Sequence, residues 1–534
     1  MFFAWEYFAE VKLNIPVLTY GILFCNKIII VFHTFLMRNT YKSLRLSTIG
    51  YTISVIALLL SLQGCIEYQY KPEPVNVDSL TNIINSWSLN DPGLNAFLER
   101  NRVTGETSGG QDFPIKRLYL TGLYFNPEMQ IAYKKWKKAQ IVADHSDYGI
   151  SPQLSIPFEH HSDTSDGKSP WTIGAVLDFI YERKGKREAR HAEAEVQLLN
   201  AGLAMEKLAI DSHASFKMQY QAYDITRAKI SEIENEIEVL KELLNQLQKK
   251  YELGGASQFE ISTMELELQQ RLFQLSLQNN LLQEIRDNLL AMTNLAHTEY
   301  EKIEIHHSHP LVLIREIYQD SPLLEMNAFT LQSEMLDNHI DMALQLNTYA
   351  QSEAGLWLEI EKQYPDIVLS PGFIFDQSDN IWTLGASWVL PLFENSRHNL
   401  QILKALEERK INQQEIVALQ KKLLNSLYQM YQSILRYRQT IQVSDEIISS
   451  IERRANTIKK QIELGGMDRV ALLRNRMEFH KAKQVQTEIY HKAINAMLDI
   501  EHLLQNSRTD IDIKQIVASW VSNIEEKNID EPAH

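Results

Sequence analysis

The side chains best suited to chemistry in this 534-residue chain are few and scattered. His306, His307 and His309 form a short histidine tract, with Glu304 close by. Imidazole binds zinc or copper, so the tract could point to metal ions as cargo. It falls between two longer patterned segments, where a surface loop is the expected reading, and no metal site is assigned. His160 and His161 end an alternating segment, where a place near an interface is expected. Only two cysteines occur, Cys25 and Cys65, which excludes a disulfide framework or a cysteine-rich metal centre. No nucleophile elbow, P-loop or zincin signature is present. Gly109-Gly110 lacks the flanking pattern of a phosphate-binding turn. The expectation is a protein that is not an enzyme and needs no cofactor.

Cys65 has a chemistry that its neighbours explain. Arg38, Lys42 and Arg45 precede an apolar run, Ile53 to Leu62, and Leu62-Gln63-Gly64-Cys65 follows. Charged, apolar, small, then cysteine is the order of a bacterial secretion signal. The run is too short to span a bilayer as a helix. The tetrapeptide resembles a lipobox, with Gln63 less usual at its place, which implies lipidation at Cys65. Ile66, where an aspartate commonly retains lipoproteins at the inner membrane, fits sorting outward. Acyl chains contribute about 0.8 kcal/mol per buried CH₂, so several chains anchor firmly to outer-membrane lipid. Residues 1–36 carry a second apolar stretch, Ile15 to Leu36, interrupted by Asn26 and Lys27. Two readings stand for it: an upstream mis-assigned start, with translation beginning at Met37, or an extra membrane segment. Residues 37–64 are then the signal peptide and 65–114 an N-terminal periplasmic segment.

The elements that carry the rest of the argument come in duplicate. Trp171-Thr172-Ile173-Gly174-Ala175 returns as Trp382-Thr383-Leu384-Gly385-Ala386. Tyr251-Glu252-Leu253-Gly254-Gly255 returns as Ile462-Glu463-Leu464-Gly465-Gly466, at the same offset of 211 residues. A shared offset at two landmarks points to a duplicated unit. Each unit reads strand, strand, very long helix, glycine turn, helix. Repeat 1 spans 115–309, with strands about 153–181 and a helical hairpin about 185–297. Repeat 2 spans 310–505, with strands about 366–392 and a hairpin about 397–505. Residues 506–534 form a C-terminal tail.

The strands alternate. Trp171, Ile173, Ala175, Leu177 and Phe179 share one face, and Thr172, Gly174, Val176 and Asp178 the other. Trp382, Leu384, Ala386, Trp388 and Leu390 repeat the apolar face. A soluble sandwich would alternate similarly; beside the outward-sorting signal, segments of about 9–11 residues suit a transmembrane barrel, but four strands are too few to close one. Copies of the chain must then share it. No proline interrupts the chain between Pro170 and Pro310, or between Pro391 and Pro532, so both tracts read as long helices. Ile233, Ile237, Leu240, Leu244 and Leu247 step by four and three, an apolar stripe of coiled-coil type. Glycine supplies the turn at each tip, and Ser257 and Asp468 are expected to cap the returning helices.

Together these features resemble the outer membrane factor (TolC-like) family of efflux and secretion channels, over roughly residues 115 to 505. The carriers are the duplicated unit, the segment from Trp382 to Pro391-Leu392-Phe393, the tip glycines, and the helix starts Asn126-Pro127 and Ser321-Pro322. The resemblance implies a mainly α fold with a transmembrane β-barrel. It implies a homotrimer: a twelve-stranded barrel on an α-helical periplasmic tunnel, in the outer membrane of a Gram-negative bacterium. It implies a periplasmic adaptor protein and an inner-membrane pump as partners, with Gly254, Gly255, Gly465 and Gly466 as docking tips. An acidic gate ring of some relatives would fall on Ala471 and Arg474, which are not acidic. Glu260, Asp468 and Arg469 complete the candidate gate region, and cation selectivity is not carried over.

Two function classes remain beside an efflux channel or type I protein-secretion conduit: a periplasmic adaptor and a structural coiled-coil lipoprotein. Two hairpins and duplicated strands count against both. The net charge of −15 without a basic stripe argues against a nucleic-acid partner.

Overall fold

The computed structural model describes residues 70–103, 112–162, 168–305, 327–377, 379–388, 395–505 and 512–530. Cys65 and its signal, the His306 to His309 tract, Ser321-Pro322 and Pro391-Leu392-Phe393 lie outside these residues. The chain divides into units 1–77 and 78–534, and the elements below belong to the second, save that α1 begins at Val77.

In chain order the elements are α1 (Val77–Asn85), α2 (Pro92–Arg100), β1 (Asp112–Phe113), α3 (Ile115–Tyr124), α4 (Pro127–His145), β2 (Gln153–Ser155), β3 (Phe158–His160), β4 (Trp171–Tyr181), α5 (Lys184–Glu252), α6 (Gln258–Ala291) and β5 (Glu304–Ile305). Then follow α7 (Ala328–Asn338), α8 (Ile340–Glu361), β6 (Ile367–Asp376), β7 (Asp379–Trp388), α9 (Asn395–Glu463), α10 (Arg469–Leu504) and α11 (Ile513–Asp530). The protein is mostly helical. α5 and α9 are each 69 residues long, on the order of 100 Å.

Each long helix folds back on itself through a hairpin. α6 returns along the tip half of α5, and α10 along that of α9. Toward the sheet, α4 and α8 take their places beside the long helices. α4 starts where Asn126 caps it, accepting from the N–H groups of Glu128 and Met129, with Pro127 at the first helical position. α10 also packs on α5, which joins the two hairpins, and the lateral order is α4/α6, α5, α8/α10, α9. The stripe Ile233, Ile237, Leu240 and Leu247 is buried.

Three apolar clusters run down the helices. One lies at the tips; a second joins α5, α7, α8, α9 and α10. The third packs α2, α3, α4 and α11 around the middle of α5 and the end of α6, with Trp520 fully buried. The stretch read from sequence as a tail thus contributes a core tryptophan. β1 and β5 form a short parallel pair at this level.

β2 to β4, β6 and β7 make one antiparallel sheet in the order β2-β4-β6-β7, with β3 also on β4. Leu154, Ile156 and Phe158 alternate with Gln153, Ser155 and Glu159, which predicts one strand, but it is divided into β2 and β3. Proline has no N–H for the ladder, and Pro157 sits at the break, still accepting from Gly174 N–H at 3.0 Å.

Candidate functional site

Two regions could act on something outside the chain: the hairpin tips and the sheet. At the first tip, Gly255 N–H donates to Lys250 C=O at 2.7 Å and Gly254 N–H to Tyr251 C=O at 2.9 Å. At the second, Gly466 N–H donates to Gln461 C=O at 2.8 Å and Gly465 N–H to Ile462 C=O at 3.0 Å. This pair of bonds is the Schellman ending, which needs one residue in the left-handed region. Gly254 and Gly465 supply it, both at φ +77°. Gly255 and Gly466 do not have positive φ; a Cβ on either would meet a carbonyl oxygen at 3.5 or 3.7 Å, an ordinary contact. The four glycines therefore divide into two that the turn requires and two that it does not. Beside them, Leu253 is 87% exposed and Leu464 is 85% exposed, and Phe259 is also open to solvent.

The returning helices are capped differently. Ser257 Oγ accepts from Glu260 N–H at 3.1 Å while the Glu260 carboxylate reaches back to Ser257 N–H, a capping box. Asp468 caps α10 by accepting from Ala471 N–H at 2.9 Å. All the charged candidate gate residues pair across the two hairpins. Lys250 donates to Asp468. Arg469 Nε reaches Glu242 at 2.9 Å, and Arg474 reaches Glu260 at 2.8 Å. The Lys250 ammonium holds the Asp468 carboxyl below the usual carboxylate range. Ala471 contributes its backbone N–H to the cap.

Behind the tip cluster lies a polar layer that the sequence reading does not single out. Glu236 is fully buried between Arg271 Nε at 2.9 Å and the Gln484 amide at 2.7 Å. His480 faces Glu232 at 3.0 Å, and Lys481 pairs with Glu267. The available signal was an acid inside the apolar stripe, between Ile233 and Leu240.

Where α5, α8 and α10 meet, a second polar cluster forms. Lys207 bridges Asp341 at 2.9 Å and Asp211 at 3.4 Å, and His502 also faces Asp211. His213 packs edge-on against Tyr119, with ring centroids 4.9 Å apart. Burial, with Lys217 and His502 nearby, lowers its pKa to about 4. His339 caps α8, its Nδ1 accepting from Asp341 N–H at 3.2 Å, and burial lowers its pKa too. Among the described residues no group of three His, Cys, Asp or Glu side chains could hold a metal ion.

The sheet has one register from edge to edge. One face carries Leu154, Ile156 and Phe158, then Trp171, Ile173, Phe179 and Tyr181, then Ile367, Leu369 and Phe373, then Trp382, Leu384 and Trp388. Most of these are exposed, up to 82% at Trp382. The opposite face is mixed: Thr172, Asp178, Ser370, Asp376, Thr383 and Ser387 share it with Val176, Ile180, Val368, Ile374 and Ile381, and Thr172 donates to Asp376. It is also the crowded face: a Cβ on Gly174 or Gly372 would come within 3 Å of neighbouring side chains. Soluble sheets bury the apolar face; here it is the open one. Aromatic rings gather at both ends of that face. Phe158 stacks on Trp171 at 5.0 Å and Phe373 meets Trp382 at 4.9 Å; Phe179, Tyr181 and Trp388 lie at the other end. Strands of this length at the usual barrel tilt rise about 25 Å, the height of an outer-membrane apolar band. His160 lies edge-on to Trp171, and His161 is within 3.0 Å of Thr172 Oγ1. Among the described residues, no helix is long and apolar enough to cross a membrane.

No family model matches the chain, and no curated protein does. Solved structures do. The outer membrane protein VceC from Vibrio cholerae aligns with a TM-score of 0.58 at 14% identity, over 73% of this chain and 95% of that one. The CmeC outer membrane channel of Campylobacter jejuni gives 0.52 at 12%, over 86% and 94%. The MtrE outer membrane channel of Neisseria gonorrhoeae gives 0.51 at 10%, over 73% and 88%. At these identities the likeness is one of fold.

Proposed function

We propose that the chain is one subunit of an outer-membrane efflux channel, in which three copies share a barrel of about twelve strands above a helical tunnel. The observation that carries this reading is the sheet. Its apolar face is open and bounded by aromatic rings, and among the described residues β7 pairs on one side only. An open edge in lipid leaves backbone groups unpaired, so the edges must meet those of other copies. The helices agree. α6 and α9 occupy opposite flanks, and both expose apolar side chains, Leu266 and Phe273 on one and Leu403 and Ile411 on the other. α6 has five Asp and Glu against two Lys and Arg, whereas α9 has twelve Lys and Arg against seven Asp and Glu. Opposite charge suits mutual packing. The fold shared with outer membrane channels supports the same reading.

Within it, the chain arose from a duplicated unit, supported by two 69-residue helices and by tip geometry repeated 211 residues apart. Cys65 carries lipid in the outer leaflet's partner layer, facing the periplasm. The tips face an adaptor protein linked to an inner-membrane pump. Leu253 and Leu464, exposed at matched positions, give apolar contacts there, and Gly255 and Gly466 leave the backbone bare. The ion pairs of Asp468, Arg469, Arg474 and Glu260 hold the two hairpins together at the gate. The protein moves small molecules and is not an enzyme. Secretion of proteins through the same conduit is the alternative.

Conductance across planar bilayers tests the channel. Purified protein should insert and conduct stepwise. Leu384→Arg, on the open face, should lose insertion, since a cation at mid-bilayer costs about 2–4 kcal/mol. A Cys65→Ser protein that leaves membranes without detergent and never conducts would overturn the channel. Gly466→Arg tests docking: export should fall while assembly persists, and unchanged export would remove the adaptor-docking role.

A further inference from the structure

We infer that α1 is an arm that docks on α9 of a neighbouring copy, an inference that rests on the ring of copies proposed above. α1 has no buried residue. Leu80, Ile83 and Ile84 stand at i, i+3 and i+4, on one face, each about half exposed (47%, 53% and 51%). A helix of nine residues is marginal in water by itself, and a row of aliphatic side chains facing solvent is a contact surface.

The C-terminal end of α1 leads into a fixed anchor. Trp87 stacks on Phe125 at 5.5 Å, and its carbonyl accepts from Ala296 N–H at 3.0 Å. Ala296 follows the end of α6, so α1 rises from the flank formed by α4 and α6. In a ring, that flank meets the α9 flank of the next copy. Rotation about the ring axis keeps height, so α1 meets the part of α9 level with its anchor. That level can be traced side chain by side chain. Tyr119, in the same cluster as Trp87, donates to Ala209 C=O at 3.2 Å. Lys207, one half-turn away, pairs with Asp341. Farther along α8, Gln345 donates to Glu415 and Glu353 faces Arg409. The matching stretch of α9 therefore centres near residue 417. There Val417 is 55% exposed, with Ile411 and Tyr428 exposed on either side. Lys421 and Lys422 are exposed at the same level. α1 has one acidic residue and no basic one. This suits a basic helix and counts against anionic lipid headgroups as the occupant.

The test places the photo-crosslinker benzoylphenylalanine at Ile83 of the full chain in native membranes. Illumination should give a two-chain product, with the crosslink mapping to residues 395–463 of the second chain. Crosslinks confined to the same chain, to lipid or to another protein, in particles of three chains, would overturn the arm and leave the ring standing. Particles of one chain would overturn the ring and the arm with it. A second variant guards against an unlucky probe position. Leu80→Glu with Ile84→Glu should lower the temperature at which detergent-extracted trimers dissociate, with helix content unchanged. An unchanged dissociation temperature counts against the arm.

Discussion

Gly254 and Gly465 end their helices at the same φ with the same two hydrogen bonds, yet the residues that follow distribute charge differently. In the first hairpin a neutral Ser257 caps the helix and the acid sits three residues on, at Glu260. In the second the acid is the cap itself, Asp468, and Ala471 takes the third position. The backbone demands a left-handed glycine and a side-chain oxygen at the cap. It does not demand that charge sit at a particular step. The second hairpin thus carries its acid at the cap, Asp468, rather than at Ala471, and Lys250 of the other hairpin pairs with it. Counting from a glycine locates the turn but not where the charge beside it sits.

The largest expected effect separates the tips from the level where the hairpins meet α8. His213 is held neutral, with its pKa lowered from 6.5 to about 4. Below pH 6.5 the unfolded chain takes up the proton first, so stability falls as pH drops toward 4 and then levels off. The loss is on the order of 3 kcal/mol. Asp468 acts with the same sign but in a lower window: its contribution is full above its ordinary 3.8 and is lost only as pH falls through its lowered value. Hydrogen exchange between pH 6.5 and 4 should therefore show the middle of α5 loosening before either tip. His213→Phe should remove most of that acid sensitivity. Tips that open first would break the comparison.

Next come the left-handed glycines. Gly254→Val and Gly465→Val should each cost about 1–2 kcal/mol, since an L side chain is disfavoured there. Amide protection in the last turns of α5 and α9 should fall by similar amounts. A large effect at one tip alone would mean that the two turns are not equivalent.

The caps should give about 1 kcal/mol each. Asp468→Ala should exceed Ser257→Ala because it also releases Lys250, and added salt should shrink the difference. Equal effects at low salt would remove the cross-hairpin pair from the account. Smallest of all, Gly255→Ala and Gly466→Ala should stay within about 0.5 kcal/mol of the parent. A marked loss of stability in either variant would show that the turn needs these glycines after all.

The helices and tip turns are legible in the sequence because they depend on neighbours a few residues apart: proline-free tracts, Leu-Gly-Gly, and Ser257 or Asp468 just beyond. The pairs Arg474–Glu260 and Arg469–Glu242 are not legible. They join residues more than 200 positions apart and depend on how two helices are rotated against each other. The same holds for Trp520, whose burial depends on a helix returning to meet α2 and α3. For the sheet, alternation separates an apolar face from a mixed one, but which face is covered depends on packing. Pro157 was visible as a residue that cannot donate, and the divided strand follows from it.

The mass of the detergent-extracted particle tests the shared barrel most directly. If other copies close the edges of the sheet, as proposed, the particle should contain three chains and should conduct when reconstituted. A monodisperse particle of one chain that conducts would contradict the account.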